Sequence, residues 1–213
     1  MAQSTRTIRV KAGDDLAQAY SSHGFYRFPA FSKATLYYKG GSRNEGQLFN
    51  YNILSGNMQF VGPKGDTLDL GGQANIDSAV FDKTSFLYND GWMEVAARAD
   101  SLALLKKIII KTQVENIGAY GVASATASID NIKSYSTGTG VYNLVLNQDV
   151  VIVENISWFF KDQNKNITKA SKSVLLKSLS APARAKADAY LKQNKVNFEK
   201  EADLRKLMQA VAN

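Results

Sequence analysis

Short β-rich runs separated by tight-turn residues are the feature that most constrains the fold of this chain. Between residues 34 and 70 the runs lie at 35–38, 48–54, 58–61 and 67–70, and Gly, Asn or Pro stands in each gap between them. These residues supply the positive or preset φ angles that a chain reversal needs. Connections this short join antiparallel neighbours, because parallel strands need long crossovers. The pattern therefore predicts an antiparallel meander.

The same pattern continues over most of the chain. Further runs bounded by turn residues lie at 78–81, 85–88, 92–95, 142–146 and 150–160. Asn89-Asp90-Gly91 is a strong hairpin signal, and a reversal is also predicted at 162–166. The segment 102–114 has the apolar content of a strand or a helix, but its β-branched cluster at 108–110 favours a strand.

Residues 118–140 break this rhythm. Gly, Ala, Ser or Thr occupies 15 of these 23 positions, which predicts a loop. Loops longer than about 12 to 15 residues are uncommon in compact domains and often carry function. The alternatives are a surface excursion and a small-residue segment packed against a sheet.

The periodicity becomes helical at Ser171. Ser180 followed by Pro182 marks a second helix start. A last helix is predicted from apolar residues at i, i+3, i+4 and i+7, namely Leu204, Leu207, Met208 and Val211. We therefore expect a mainly β protein: an antiparallel β domain at 1–170, forming a rolled sheet or open barrel of about eight to ten strands, with a C-terminal helical hairpin at 171–213 packed on it.

The net charge of +7 comes from the C-terminal part of the chain. Residues 1–160 hold 14 basic and 14 acidic residues, whereas residues 161–213 hold 12 and 5. Such a tail could contact an anionic polymer or lipid, or form a solvated helical face. Few aromatic residues are interleaved with these cations, which disfavours a nucleic acid as the partner. The candidate anion-contacting residues are Lys165, Lys169, Lys172, Lys177 and Arg184.

The residue inventory argues against several chemistries. The chain has no cysteine and a single histidine, His23, which lies beside a turn. The missing cysteines exclude disulfides and thiolate metal sites, and the single histidine argues against a catalytic triad. The Gly138-Thr139-Gly140 segment lacks the remaining residues of a phosphate-binding loop. We predict no catalytic residue, no metal site and no cofactor.

Three functions stay open at this point. The first is a non-catalytic binding or structural protein of the cell envelope. The second is an enzyme acting on glycans through paired carboxylates, with the candidates Glu45, Asp66, Asp69, Glu94 and Glu154. The third is a carrier of a small apolar ligand, with Trp92, Trp158 and strand aromatics lining a pocket rather than filling a core.

A membrane-spanning helix needs roughly 18 to 20 consecutive apolar residues, and no run in the chain approaches this length. We therefore predict no membrane-spanning helix. The first residues also lack the apolar segment of an export signal, although a mature exported protein would look the same.

Three stretches of the chain resemble a group of uncharacterised, exported, β-rich proteins of Gram-negative bacteria. They are residues 34–39 with 46–52, residues 86–92, and residues 158–160 with 171–179. The resemblance implies a protein of the periplasm, cell surface or extracellular space, with an envelope protein, a glycan or an apolar molecule as partner. The group has no assigned activity, so the resemblance transfers no functional residues.

Overall fold

The computed structural model of the chain describes residues 4–117, 123–128 and 148–212. The protein is mainly β, with 42% strand and 23% helix, and its sheets are antiparallel. This confirms the fold class that the turn pattern predicts. The strands are β1 (Ser4–Val10), β2 (Ser32–Lys33), β3 (Thr35–Tyr38), β4 (Arg43–Asn44), β5 (Leu48–Asn52), β6 (Asn57–Val61), β7 (Thr67–Asp69), β8 (Ile76–Val80), β9 (Ser85–Tyr88), β10 (Trp92–Ala99), β11 (Leu102–Ile117), β12 (Ala123–Ser128), β13 (Val150–Lys161) and β14 (Ile167–Lys169). The helices are α1 (Leu16–Tyr20), α2 (Lys172–Ser178), α3 (Ala181–Gln193) and α4 (Glu201–Ala212).

Two sheets make up the β part. The larger has ten strands in the order β1-β13-β11-β10-β9-β8-β3-β4, with β12 paired to β11 and β14 paired to β13. Its longest ladder joins β11 to β13, from Ala103 opposite Lys161 to Val114 opposite Val150. The smaller sheet has the order β2-β5-β6-β7. The described strands form an open sheet, in keeping with the expected rolled sheet or open barrel.

The predicted meander at 34–70 is wrong in one respect, because its runs are divided between the two sheets. β3 pairs with β4 and β8, whereas β5 pairs with β2 and β6. The turn at Gly40–Ser42 therefore leads into the short strand β4 rather than into β5. Turn residues fix where the chain reverses, but they carry no information about which sheet the next run joins.

The sequence left the structure of two segments open, 102–114 and 118–140, and the structure confirms the prediction only for the first. The segment 102–114 is a strand, as its β-branched cluster predicts, and it belongs to β11. The predicted loop at 118–140 is wrong at 123–128, where the chain forms β12 and pairs with residues 113–117 of β11. Ladder hydrogen bonds come from the backbone, so a run of small residues can pair beside a long extended partner. The rest of that loop and the predicted run at 142–146 lie outside the described residues.

The helices begin where the sequence predicts. The Ser171 hydroxyl accepts a hydrogen bond from the Val174 N–H and caps α2, and Pro182 stands in the first turn of α3. The apolar residues predicted for the last helix, Leu204, Leu207, Met208 and Val211, are all buried in α4. The helices α2 to α4 are called the helical tail below. The division of the chain at residue 170 stays a prediction.

One face of the ten-stranded sheet carries nearly all of the apolar core. Its half nearest the smaller sheet packs on β5, β6 and α1 and includes Ile110 and Ile152. Its other half packs on the helical tail and includes Leu104, Trp158 and Phe160. We call this the packed face. Because side chains alternate along a strand, the intervening residues of β11 and β13 belong to the opposite face.

Candidate functional site

The opposite face of the ten-stranded sheet is rich in basic side chains, and we call it the basic face. Residues directly opposite each other in an antiparallel ladder share a face, so the register places side chains of β1, β13, β11 and β14 together. Its basic residues are Arg9, Lys107, Lys111, Lys161 and Lys169. Within residues 5–10 of β1, 103–113 of β11, 150–161 of β13 and 167–169 of β14, the charged side chains on this face are all basic.

The cations of the basic face differ in exposure. Arg9, Lys111 and Lys169 are exposed, while Lys107 and Lys161 are half-buried. The Lys107 ammonium donates a hydrogen bond of 2.6 Å to the Asp90 carbonyl oxygen, which ties this lysine to the β9–β10 turn.

Large apolar side chains are also exposed on this face. Ile109 lies between Lys107 and Lys111 on β11 and is 43% exposed. Tyr37 of β3 and Val80 of β8 are 40% and 39% exposed. The register relates them to the same face, because Tyr37 lies opposite Ser78, Ser78 opposite Leu87, and Leu87 opposite Met93. Exposed apolar groups thus share one surface with the cations.

Between these exposed groups the basic face has an apolar floor. The buried residues of this floor are Leu87, Met93, Ala103 and Leu105, with Val95, Phe159 and Ile167 packed against them. They run across the sheet from β9 to β14. The floor makes this surface a continuous apolar strip with a basic border.

A cleft of about 760 Å³ lies at the β3 end of the basic face. Tyr37 and Val80 line one side, and Lys165 of the β13–β14 reversal lines the same cleft. Lys39 and Asp77 lie at its border, so cations outnumber carboxylates there. The β13–β14 reversal therefore reaches the strands β3 and β8, which lie far from β13 in the sheet order, and this indicates that the face is concave.

The structure separates the five predicted anion-contacting residues. Lys165 lines the cleft, and Lys169 lies on the basic face. Lys172 and Lys177 are exposed on α2 instead, and Arg184 of α3 donates a 2.5 Å hydrogen bond to the Leu176 carbonyl oxygen. The structure therefore does not bring the five together into one site.

Sequence reasoning missed Arg9, Lys107 and Lys111. Residues 1–160 have equal numbers of basic and acidic residues, so their net charge is zero. A net charge does not show that the basic residues lie together on one face of a sheet. The alternation of Lys107, Ile109 and Lys111 with the apolar Ile108 and Ile110 was the available signal.

Four of the five candidate carboxylates are held by neighbouring donors. Glu45 pairs with Arg43 at 3.0 Å, and the Asp69 carboxylate accepts hydrogen bonds from the side-chain amides of Asn57 and Gln59, at 2.9 and 2.6 Å. In the described part of the chain, the buried Asp66 Oδ1 has no hydrogen-bond partner.

Glu94 and Glu154 are the other two candidates, and both are well paired. The Arg27 guanidinium donates two hydrogen bonds to Glu94, at 2.7 and 2.8 Å, and this pairing raises the pKa of Arg27. The Tyr20 hydroxyl donates a 2.5 Å bond to the buried Glu154. Burial and the Glu154 carboxylate raise the pKa of Tyr20 well above its usual value, so Tyr20 stays a donor. These contacts hold Arg27 and Tyr20 in place beside the packed face.

The remaining candidates lie apart from the basic face. The His23 ring contacts only the Ser22 hydroxyl among the hydrogen bonds of the described residues, at 3.3 Å. Trp92 is buried, and its indole N–H donates to the Gln73 side chain. In the described ranges no group of three or more His, Asp or Glu side chains could hold a metal ion, and no helix has the length and apolarity needed to cross a membrane.

Comparison of the chain with known protein families, with curated proteins and with solved structures finds no match.

Proposed function

We propose that the protein is a non-catalytic binding protein that attaches to an anionic lipid surface through its basic face. The observation that supports this is the clustering of cations beside exposed apolar groups: Lys107 and Lys111 of β11 share one sheet face with Lys161, Lys169 and the exposed Ile109. An anionic surface complements such a face along its whole length.

The magnitude of the electrostatic attraction is sufficient for reversible binding. Each Lys or Arg close to an anionic membrane contributes about 1 kcal/mol, and the attraction decays within a Debye length. The four lysines of this face, Lys107, Lys111, Lys161 and Lys169, would contribute up to about 4 kcal/mol, and the two lysines at the cleft, Lys39 and Lys165, add to the same field.

The exposed apolar groups favour a lipid surface over a soluble polyanion. A polyanion is bound by charge, and exposed Ile109 and Val80 would gain little from it. In a membrane interface the same side chains enter the headgroup boundary, while Tyr37 and the long lysine side chains keep their polar ends in water. The combination of apolar and basic groups is therefore typical of an interfacial surface.

We propose a cell-envelope location as well. The resemblance to exported proteins supports this location, and the envelope of Gram-negative bacteria offers anionic lipid surfaces. Fractionation of cells that produce the protein from its native gene tests this part, with recovery in the cytoplasm as the contradicting result.

Vesicle co-sedimentation tests the lipid proposal. We expect the protein to sediment with vesicles that contain phosphatidylglycerol, to remain free with phosphatidylcholine alone, and to be released by 0.5 M salt through screening, since the Debye length is then only about 4 Å. Replacing Lys111 and Lys169 by Gln should weaken partitioning about 30-fold, because two lysines contribute about 2 kcal/mol.

The helical tail offers a matched control. Lys172→Gln with Lys177→Gln removes the same charge from exposed positions on α2, and we expect a change of less than about threefold. Equal losses for the two double variants would overturn the proposal, because only net charge would then matter. An Ile109→Ser variant that still bound at full strength would point to a soluble polyanion as the partner.

A further inference from the structure

The cleft at the β3 end of the basic face is lined by opposite charges that do not pair with each other. Lys39, Asp77 and Lys165 all line it, yet none of the ion pairs between described residues involves any of them. Lys11 and Asp149, by contrast, pair at 2.6 Å. Ammonium groups donate hydrogen bonds and a carboxylate accepts them, so the cleft suits a ligand that has both acceptors and donors.

Lys165 occupies its position at the cleft in a backbone conformation that lysine disfavours. Its φ of 67° lies in the left-handed region, which glycine adopts far more readily. The Lys165 N–H donates to the Asp162 carbonyl oxygen at 3.1 Å and closes the β13–β14 reversal. This turn geometry does not require a lysine, whereas a phosphate group in the cleft would make use of its charge.

The size and the aromatic wall of the cleft indicate a ligand larger than a phosphate group. Its volume of about 760 Å³ lies within the range of small-molecule sites. Tyr37 lines the cleft and is 40% exposed. An exposed tyrosine ring offers a flat apolar surface, on which the C–H groups of a ring polyol can pack. A short linear headgroup would leave this surface and most of the volume unused.

We infer that the lipid bound by this protein carries a phosphorylated ring polyol, such as a sugar phosphate or an inositol phosphate, in its headgroup. This recognition rests on the attachment to an anionic lipid surface proposed above and names the headgroup bound there. Lys39 and Lys165 bind the phosphate, Asp77 accepts hydrogen bonds from the ring hydroxyls, and Tyr37 packs against the ring. The lysines of the rest of the basic face contact the surrounding membrane.

Phosphatidylinositol and phosphatidylglycerol are matched probes, because their headgroups have the same charge and only the first has a ring. Co-sedimentation with vesicles that hold either lipid at equal mole fraction in phosphatidylcholine measures the preference. We expect phosphatidylinositol vesicles to bind about tenfold more tightly, since the ring hydroxyls add hydrogen bonds to a charged group. Equal binding would overturn the ring-polyol recognition and leave the proposed lipid attachment intact.

Binding to neither kind of vesicle would contradict the lipid attachment itself. The cleft is then tested with two soluble probes, inositol monophosphate and glycerol phosphate, by calorimetry. Tighter binding of inositol monophosphate would assign the cleft to a free ring-polyol phosphate and overturn the lipid source. Equal affinities for the two probes would overturn recognition of the ring as well.

Asp77→Ala separates recognition of the ring from general electrostatic attraction. Removing this carboxylate makes the protein more positive, so binding to phosphatidylglycerol should not weaken. The preference for phosphatidylinositol should nevertheless fall at least about threefold, because the acceptor for the ring hydroxyls is lost. Asp82→Ala is the matched control, since Asp82 is exposed in the β8–β9 turn and does not line the cleft. Equal preferences in the two variants would contradict the role of Asp77.

Lys165→Gly tests the phosphate contact in a variant that should fold well. Glycine accepts the left-handed backbone, so the midpoint of thermal unfolding should not fall. The affinity for inositol monophosphate should fall about tenfold, because a charge-assisted hydrogen bond is lost. Full affinity in a folded Lys165→Gly variant would overturn the assignment of the phosphate to this end of the cleft.

Discussion

The two faces of the ten-stranded sheet are built from alternate residues of the same strands, yet they differ in almost every property. On β11 the packed face receives Leu104 and Ile110, whereas the basic face receives Lys107, Ile109 and Lys111. The first set is covered by the smaller sheet and the helical tail, and the second reaches solvent. The difference teaches that alternate residues of a single strand can have different roles: one set forms the core, and the other set forms a charged surface that we propose binds lipid.

The two faces also differ in how they treat polar groups. Beside the packed face, Asp69, Glu94 and Glu154 all accept hydrogen bonds from neighbouring side chains. The paired arrangement fits a structural role, because leaving such a group unpaired would be costly. On the basic face, lysines such as Lys111 and Lys169 are exposed at the surface. The proposed anionic surface would supply the opposite charge to them.

The largest contrast is expected for core truncation. Leu207 of α4 is fully buried against the packed face, so Leu207→Ala should lower the free energy of unfolding by about 2 to 5 kcal/mol. Ile109→Ala on the basic face should have a much smaller effect, about 1 kcal/mol or less, because 43% of the Ile109 side chain is already exposed. Urea denaturation measures both.

If the two variants lose equal stability, the basic face is a second core rather than a binding surface. An unchanged midpoint for Leu207→Ala would instead mean that the helical tail contributes little to the folded state.

A backbone change should have the next largest effect. Gly91 in the β9–β10 turn has a φ of 105°, which side chains with a β-branch strongly resist. Gly91→Val should therefore cost about 1 to 3 kcal/mol. An added Cβ would lie 3.5 Å from Lys107 Cε, an ordinary contact, so the cost comes from the backbone.

Gly40→Val is the control for this prediction. Gly40 is not among the glycines with positive φ, and an added Cβ would meet nothing within 4 Å. A loss as large at Gly40 as at Gly91, measured by thermal unfolding, would contradict the assigned cause.

A smaller, pH-dependent effect is expected where the helical tail meets the sheet. Burial opposes ionisation of Glu201, but hydrogen bonds from Lys106 and Arg205 outweigh it and lower the pKa of Glu201. A lowered pKa in the folded state stabilises the protein above the unfolded value of about 4.3. This stability is lost as the pH falls through the folded pKa.

We expect this contribution to be no more than about 1 kcal/mol, because Glu201 is partly exposed and solvent screens the pair. Comparing urea midpoints at pH 7 and pH 3 for the protein and for Glu201→Gln isolates it from the other carboxylates. Between pH 7 and pH 3, Glu201→Gln should lose less stability than the unaltered protein. Equal losses for the two proteins would mean that other carboxylates cause the acid sensitivity.

Local sequence patterns predicted much of the fold. The turn residues, the β-branched cluster at 108–110 and the spacing of Leu204, Leu207 and Met208 are short-range signals, and they give the strands and the last helix correctly. The division of the strands between two sheets depends on which run pairs with which, and the turns do not encode it. The small residues of β12 lack the sequence signal of a strand, and backbone pairing with β11 does not require one.

The candidate site was much harder to predict. The sequence drew attention to residues 161–213, where the net charge is concentrated, and of the five predicted anion-contacting residues only Lys165 and Lys169 lie with the basic face. The basic face itself depends on the register that brings Arg9 of β1 and Lys111 of β11 to the same side of β13. Long-range pairing of this kind cannot be read from composition.

One measurement tests the central claim most directly: which surface meets the lipid. The chain has no cysteine, so Ile109→Cys on the basic face and Ala185→Cys on the exposed side of α3 can each carry one environment-sensitive fluorophore. On addition of phosphatidylglycerol vesicles, the label at 109 should shift to the blue and the label at 185 should not. A blue shift at 185 alone, or at neither position, would contradict attachment through the basic face.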